Sequence, residues 1–245
     1  IMVRCQYSGT TLSLFANDRK IILTGKDVEP TLELLRKNDL QAIYDKHFKV
    51  DVKLQALFGE KNVEVKDGTV FVDGRAISGL LNTRMIQHIE SGLPIEPLVA
   101  FYHRLQNNPS YQAIQRLFEC LDTNHHPLAE DGRFLAWKRI TSDFKDIYTH
   151  SIDNSVGAKP TVSRAEVDED MDKTCSKGLH VASFDYACRS YGNGSGQLVE
   201  VLVDPSDVVA IPRDYNNQKM RVTSYEVIQV CKEERKDRLV SVKGE

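Results

Sequence analysis

The stretch Val63–Ile77, VEVKDGTVFVDGRAI, carries the clearest folding signal in the N-terminal half of the chain. Valines at positions 63 and 65 precede the dipeptide Asp67-Gly68, and valines at 70 and 72 follow it, with polar or aromatic residues between them. Such alternation is typical of strands with one buried face, and Asp-Gly favours the tight turn of a β-hairpin. We therefore predict a hairpin here.

Further strands and helices are predicted on both sides of this hairpin. The segment LSLFANDRKIILT at 12–24 predicts another strand pair, and apolar residues at helical spacing follow as far as Phe48. After the hairpin, three amphipathic helices are predicted near 78–92, 95–107 and 108–121. Their termini are indicated by Ser78 and Asn108 as caps, Gly92 as a stop and Pro109 in a first turn.

The polar stretch Asp122–Pro127 marks a change to short strands and long loops. Strands are predicted at 134–140, 179–182, 198–203, 208–211 and 221–230. The predicted fold class is α+β, with N-terminal β-hairpins plus helices and a C-terminal mostly-β domain with long loops. The predicted organisation is an assembly domain at 1–125, a C-terminal domain at 128–232 and a charged tail at 233–245.

Composition excludes several classes of protein. The chain has 245 residues, of which 41% are hydrophobic and 27% charged, with a net charge of −3. It is therefore neither collagen-like nor low-complexity, and it lacks the basic excess that drives non-specific nucleic-acid binding. Its five cysteines are scattered without a CxxC pair, which speaks against a thiolate zinc site and favours a reducing, intracellular setting.

The segment Asp131–Ile140, DGRFLAWKRI, places the single tryptophan beside two cations. Strand alternation sends Lys138 to one face and Trp137 with Arg139 to the other. In a functional interpretation Trp137 stacks on a base and Arg139 meets a phosphate. In the alternative, Trp137 is a core residue and the cations are solvated.

A second segment, TCSKGLHV at 174–181, puts His180 in an apolar strand that follows Gly178. A buried imidazole suits general acid–base work, and the alternative is a core histidine with satisfied hydrogen bonds. Cys175 is a weaker nucleophile candidate, because no third group is visible. The acidic run Glu166–Asp172 lacks the pattern of a calcium loop and predicts a solvated loop, so we predict neither a metal nor a cofactor.

The densest polar constellation lies at 203–221. Two residues apart on a strand, Lys219 and Arg221 would share a face and could bind an anion together. In the alternative, they form an internal salt-bridge network with Asp214. Arg164 and Tyr215 complete the predicted ligand-binding set, which is Trp137, Lys138, Arg139, Arg164, Asp214, Tyr215, Lys219 and Arg221, with His180 as the candidate catalytic residue.

Several unusual strings resemble the rIIB proteins of T-even and related tailed phages. They include Thr174-Cys-Ser176, Gly178-Leu-His-Val181, Asp207-Val-Val209, Asp214-Tyr-Asn216, Lys219-Met-Arg221 and Tyr225-Glu-Val227. The resemblance implies an early phage protein that acts in the host bacterial cytoplasm, with peripheral association with the inner membrane. It implies a role in lysis inhibition and in resisting exclusion, together with an rIIA-like partner. The helix-turn-helix-like extension of T-even members is lacking, so no sequence-specific DNA binding is expected.

Two main hypotheses about function follow. In the first, the C-terminal domain counteracts host or prophage defence by binding a host factor or a phosphate-bearing nucleotide signal. In the second, it is a nucleotide-cleaving or ADP-ribosyl-chemistry enzyme that uses His180. A third possibility is a structural partner, in which the helices between Ser78 and Leu121 assemble with a second copy or with rIIA. A homo-oligomer is expected.

Overall fold

The computed structural model describes residues 3–16, 19–48, 62–189 and 196–231. Its contacts divide the chain into two compact units, Ile1–Leu93 and Pro94–Glu245. The predicted charged tail at 233–245 lies outside the described residues. Each unit is built from helices and antiparallel strands, so the predicted α+β fold class is confirmed.

The first unit begins with a three-stranded antiparallel sheet and two helices. These elements are β1 (Arg4–Tyr7), β2 (Thr11–Ala16), β3 (Arg19–Thr24), α1 (Val28–Arg36) and α2 (Leu40–His47). Leu12 and Leu14 on β2 pack with Ile43 and Phe48 in one apolar cluster. The Asp39 carboxylate accepts a hydrogen bond from the Ala42 amide at 2.9 Å and caps α2.

The predicted Asp-Gly hairpin is confirmed. Its strands are β4 (Val63–Lys66) and β5 (Thr69–Val72), followed by β6 (Arg75–Ala76) and helix α3 (Gly79–Ser91). Asp67 and Gly68 both have positive φ, at 49° and 75°, which is the backbone of a type I′ turn. Asn82 on α3 fixes the hairpin, since it accepts from the Val70 amide at 2.8 Å and donates to the Gly68 carbonyl. Gly92 ends α3 in the left-handed conformation, as predicted.

The second unit contains two long helices, α4 (Glu96–Gln106) and α5 (Tyr111–Thr123), that pack on the region of residues 205–210. The sequence placed the domain boundary near 122–127, whereas the contacts divide between Leu93 and Pro94. The physical reason is that these helices bond the C-terminal part, for example through Arg116, which donates to the Ile211 carbonyl at 3.0 Å.

The start of α5 differs from the sequence prediction. Ser110, rather than Asn108, is its cap, and the Ser110 hydroxyl accepts from the Ala113 amide at 3.3 Å. Asn108 is buried instead, and its amide donates to the Pro205 and Val208 carbonyls at 2.7 Å each. The predicted cap is wrong because these two carbonyls at the edge of the sheet take the Asn108 side chain.

A six-stranded antiparallel sheet forms the centre of the second unit, with the order β10-β11-β8-β7-β9-β12. The strands are β7 (Phe134–Ile140), β8 (Leu179–Ala182), β9 (Gln197–Val203), β10 (Val208–Ala210), β11 (Lys219–Val222) and β12 (Glu226–Val230). The single strand predicted at 221–230 is two strands, because Thr223 turns away to bond the backbone carbonyl and carboxylate of Asp207. A short helix, α6 (Phe184–Arg189), follows β8 and was not predicted.

Candidate functional site

The central sheet opens between β7 and β8. Strand β7 pairs with β9 along its full length, but among the described residues it pairs with β8 only at Trp137 and Ala182. A cavity of about 470 Å³ lies at this opening. Its volume falls in the range of roughly 300–1,000 Å³ that small-molecule sites occupy.

The opening has a local cause in the chain that follows β7. Ile140 pairs with Gln197 of β9 on one side and forms an antiparallel bridge with Asp146 on its other side. The segment around Asp146 therefore occupies a position that β8 would take in a continuous sheet. The Lys138 ammonium spans the gap and donates to the His180 carbonyl at 3.0 Å.

The first wall of the cavity is a loop at 146–152 that the Asp146 carboxylate organises. This carboxylate accepts from the Thr149 hydroxyl and amide at 2.6 and 2.7 Å, and from the amides of Ser151 and Ile152. Burial raises the pKa of Asp146, but these hydrogen bonds outweigh it and lower the pKa to about 2. Asp146 is therefore ionised, and its oxygens are occupied by hydrogen bonds from its own loop.

The second wall includes residues 175–178, which follow the acidic loop that Arg221 holds in place. Arg221 is fully buried, and its guanidinium donates to the carbonyls of Asp168 and Lys173 at 2.7 and 2.8 Å and to that of Asp170. Lys219, on the same face of β11, donates to the Thr174 carbonyl at 2.7 Å. The shared face predicted for these two cations is thus turned towards carbonyls of the chain.

Gly178 joins this wall to β8 with φ at +129°, a conformation that side-chain-bearing residues rarely adopt. A Cβ atom at this position would lie 2.7 Å from Cγ1 of Val167. Within the described ranges, no group of three or more histidine, cysteine or acidic side chains is placed to hold a metal ion.

Lys138 lines the cavity and is partly buried. Its ammonium lies 5.7 Å from the centre of the Tyr225 ring. Burial lowers the pKa of Lys138 to about 8, against the attraction of Asp146, which raises it. Lys138 is therefore mainly a cation at pH 7, although it is easier to deprotonate than an exposed lysine.

His180 also lines the cavity. Burial, together with the nearby charges of Lys138, Arg221 and Lys219, lowers the pKa of His180 to about 4. The imidazole is consequently neutral at pH 7. It can give or accept a hydrogen bond, and its environment favours the binding of an anion.

Trp137 and Arg139 lie on the face of the sheet that α6 covers. Trp137 is 2% exposed, and its ring lies 5.6 Å from that of Phe184 and 5.7 Å from that of His126. Arg139 is buried and donates to the Ala187 carbonyl at 3.3 Å. Both residues line the cavity, and Trp137 also belongs to the apolar cluster with Leu135 and Tyr186.

Three further residues that were predicted to bind the ligand do not line the cavity, namely Arg164, Asp214 and Arg221. Arg164 donates to the Asn108 side chain and to the carbonyls of Ser206 and Val208. Asp214 lies 3.5 Å from the Lys219 ammonium. Arg221 holds the acidic loop, and the side chain of Tyr215 lies outside the described part of the chain. Five of the nine predicted site residues thus come together, namely Trp137, Lys138, Arg139, His180 and Lys219.

Sequence reasoning missed several lining residues: Asp146, Tyr148, Thr149, Lys177 and Tyr186. The Asp-x-x-Thr spacing from Asp146 to Thr149 is a local turn signal that could have indicated an ordered loop. No local pattern indicates that Tyr186 faces a cavity, since its position depends on the unpredicted helix α6.

The described helices include none with both the length and the apolar character that crossing a bilayer requires. Peripheral membrane association therefore stays a prediction.

Comparison with protein families and with curated proteins gives matches over most of the chain. A family model described as Bacteriophage T4 protein rIIB matches residues 13–240. Protein rIIB of Enterobacteria phage T4 is 38% identical over 168 residues, which are 69% of this chain and 54% of that protein, so the match spans about half of the relative. No solved structure matches the chain. Because the family match covers nearly the whole sequence, the chain belongs to the bacteriophage T4 rIIB family.

Proposed function

We propose that this phage protein counteracts host or prophage defence by binding a phosphate-bearing small molecule, with nucleotides as the leading class, in the cavity between β7 and β8. The observation that carries the proposal is the convergence of Lys138, Lys219 and His180 with the aromatic residues Trp137 and Tyr186 around one cavity. Cations and aromatic walls together suit a ligand with an anionic end and a flat apolar end.

The charge balance of the cavity supports an anionic ligand. Lys138, Arg139, Lys177 and Lys219 line it, and Lys177 is exposed. The two acidic lining residues are already committed to the protein. Asp146 accepts four hydrogen bonds from its own loop, and Glu166 accepts from the Ser163 amide at 3.0 Å. Four cationic and two acidic side chains line the cavity, so positive charge predominates in its wall.

A binding experiment tests this proposal directly. Isothermal titration with AMP, ADP-ribose, cyclic dinucleotides and inorganic phosphate should give a saturable signal for at least one nucleotide. Lys138→Met should weaken that binding by at least tenfold, because a charge-assisted hydrogen bond is worth about 1.5–3 kcal/mol. Lys159→Met is the matched control, since Lys159 is exposed, pairs with Glu226 and does not line the cavity. Absence of heat and of a thermal shift with every ligand would refute the proposal.

The catalytic alternative rests on His180. A neutral imidazole can accept a proton, but a pKa of about 4 makes it a weak base near pH 7, which is why we favour binding. Chromatography of the ligand after incubation separates the two ideas. Turnover that disappears in His180→Ala would support the enzyme, whereas intact ligand recovered after heating the protein would support sequestration.

Assembly is proposed as well, with an rIIA-like phage protein, a host defence factor or a second copy as partner, in the host cytoplasm or at the inner membrane. Apolar residues of the helices predicted to serve this purpose are buried, including Met85 on α3, Phe101 on α4 and Leu117 on α5. Association would therefore use other surfaces, such as that around Tyr111, which is 74% exposed. Light scattering of the chain alone and with an rIIA-like protein tests this idea.

A further inference from the structure

The amine of Lys138 differs from that of Lys219, the other lysine of the cavity that is not exposed. The Lys219 ammonium has the Asp214 carboxylate 3.5 Å away and donates to the Thr174 carbonyl. Lys138 donates to one carbonyl, that of His180, and within the described residues no carboxylate lies within ion-pair distance of its Nζ. A neutral amine can also donate to a carbonyl, although an ammonium donates more strongly, so this contact holds the proton on Lys138 less firmly than a carboxylate would.

The surroundings of Lys138 favour a reactive amine. With a pKa lowered to about 8, about one Lys138 in ten is neutral at pH 7, compared with roughly one in three thousand for a lysine at its ordinary pKa. Desolvated lysines of this kind act as nucleophiles towards carbonyl groups. Lys138 also lines an open cavity, so a small ligand can reach it.

We propose that Lys138 is the nucleophile of a site for a phosphate ester that carries an aldehyde or ketone group, and that it holds this ligand as an imine. The inference rests on the proposed function, since it assumes that the cavity binds a phosphate-bearing molecule. It adds the reacting group of that molecule and the residue that captures it.

The chemistry balances without an oxidant or a reductant. The lone pair on Lys138 Nζ attacks the carbonyl carbon and forms a carbinolamine. The nitrogen then loses a proton, the hydroxyl group gains one and leaves as water, and a C=N bond replaces the C=O bond. Hydrolysis reverses the capture.

The cavity supplies separate places for the rest of such a ligand. Lys177 and Lys219 offer positive charge to the phosphate, while Trp137 and Tyr186 offer flat apolar surface. Pyridoxal 5′-phosphate combines an aldehyde, a phosphate and an aromatic ring, which makes it a suitable probe for all three features.

The test is trapping of this probe on the full chain. The protein is incubated with a small excess of pyridoxal 5′-phosphate, reduced with borohydride and mapped by peptide mass spectrometry. We expect labelling of Lys138 at least tenfold above that of the exposed Lys159 and Lys177, with protection by excess ribose 5-phosphate. Labelling spread evenly over exposed lysines, or none at Lys138, would overturn the inference.

A conservative variant separates this inference from the proposed function. Lys138→Arg keeps the positive charge and removes the nucleophile, so it should lose the trapped adduct completely, whereas its loss of AMP affinity should be smaller than that of Lys138→Met. Lys159→Arg, the matched control, should keep both. If AMP binds the unmodified protein and no adduct forms on Lys138, the imine fails while the binding function stands. If neither the probe nor any of the nucleotides binds, both fail together.

Discussion

The two sides of strand β7 differ in pairing: the side towards β9 is closed by a full ladder, and the side towards β8 is open. Towards β9, seven residue pairs form an unbroken ladder, and Val199, Val201 and Val203 of that strand are completely buried. Towards β8, one pair at Trp137 and Ala182 is followed by a cavity with lysines in its wall. The same strand thus serves as the core of the sheet on one side and as the edge of a site on the other.

This contrast teaches that the candidate site arises where pairing fails. In a continuous sheet, the Lys138 side chain would lie on one face, away from the neighbouring backbone. Because β8 diverges, the Lys138 ammonium reaches the His180 carbonyl and lines the gap. The predictions below test how far the open side depends on particular residues and whether the closed side is insensitive to them.

The largest effect is expected at Trp137, where β7 and β8 make their single described pair before they separate. Trp137→Ala removes a buried ring from the apolar cluster that also contains Leu135 and Tyr186, at the residue that makes this β7–β8 pair. Large-to-small changes of a buried aromatic residue cost about 3–5 kcal/mol of unfolding free energy. Urea denaturation measures this loss. Val201→Ala, on the closed side, should cost less and leave ligand binding unchanged, and an equal loss of binding in both variants would contradict the contrast.

The wall that Arg221 supports should respond next. Arg221→Met leaves three carbonyls of the acidic loop without their donor, at an expected cost of about 2–4 kcal/mol. Hydrogen exchange should accelerate at 168–177 and stay unchanged in β9. Protection that falls equally in both segments would show that Arg221 supports the whole sheet rather than one wall.

A smaller effect is expected where this wall joins β8. Gly178→Ala forces a side chain onto a backbone with φ at +129° and places its Cβ against Val167, with an expected cost of about 1–3 kcal/mol. Adding Val167→Ala relieves the contact but not the strain, so the double variant should cost less than the sum of the two single changes. Thermal denaturation of the three variants measures this coupling, and strict additivity would contradict it.

The smallest effect concerns Lys138 and pH. Its pKa is about 8 in the folded protein, below the ordinary 10.5. The burial penalty is thus fully present below pH 8 and disappears as pH rises from 8 to 10.5, where the folded state loses its proton first. At pH 7, the free energy of unfolding of Lys138→Met should therefore exceed that of the unmodified protein by about 1 kcal/mol, a figure reduced for partial exposure. At pH 9.5 this difference should be smaller. For Lys159→Met, the difference in unfolding free energy from the unmodified protein should not change with pH. If the difference for Lys138→Met is equally constant, Lys138 does not have a lowered pKa.

The sequence by itself determined the elements whose signals are local. The Asp67-Gly68 turn needs two residues with positive φ, and the Gly92 stop needs one, so residue type alone indicates them. Strand β7 was predicted with its observed limits, and so was the alternation that places Trp137 and Lys138 on opposite faces. Family membership was also readable in the sequence, because it depends on strings of residues and not on their positions in space.

Only the tertiary structure decided which cations face a cavity. Alternation gives the face of a strand on which a side chain lies, but not what lies opposite it. Arg221 meets three backbone carbonyls and Lys138 meets a gap, although both were predicted as anion-binding residues. The difference follows from the Ile140–Asp146 bridge, which keeps β8 away from the end of β7. Such competition between segments for one strand edge is a long-range event, and no local pattern of residues records its outcome.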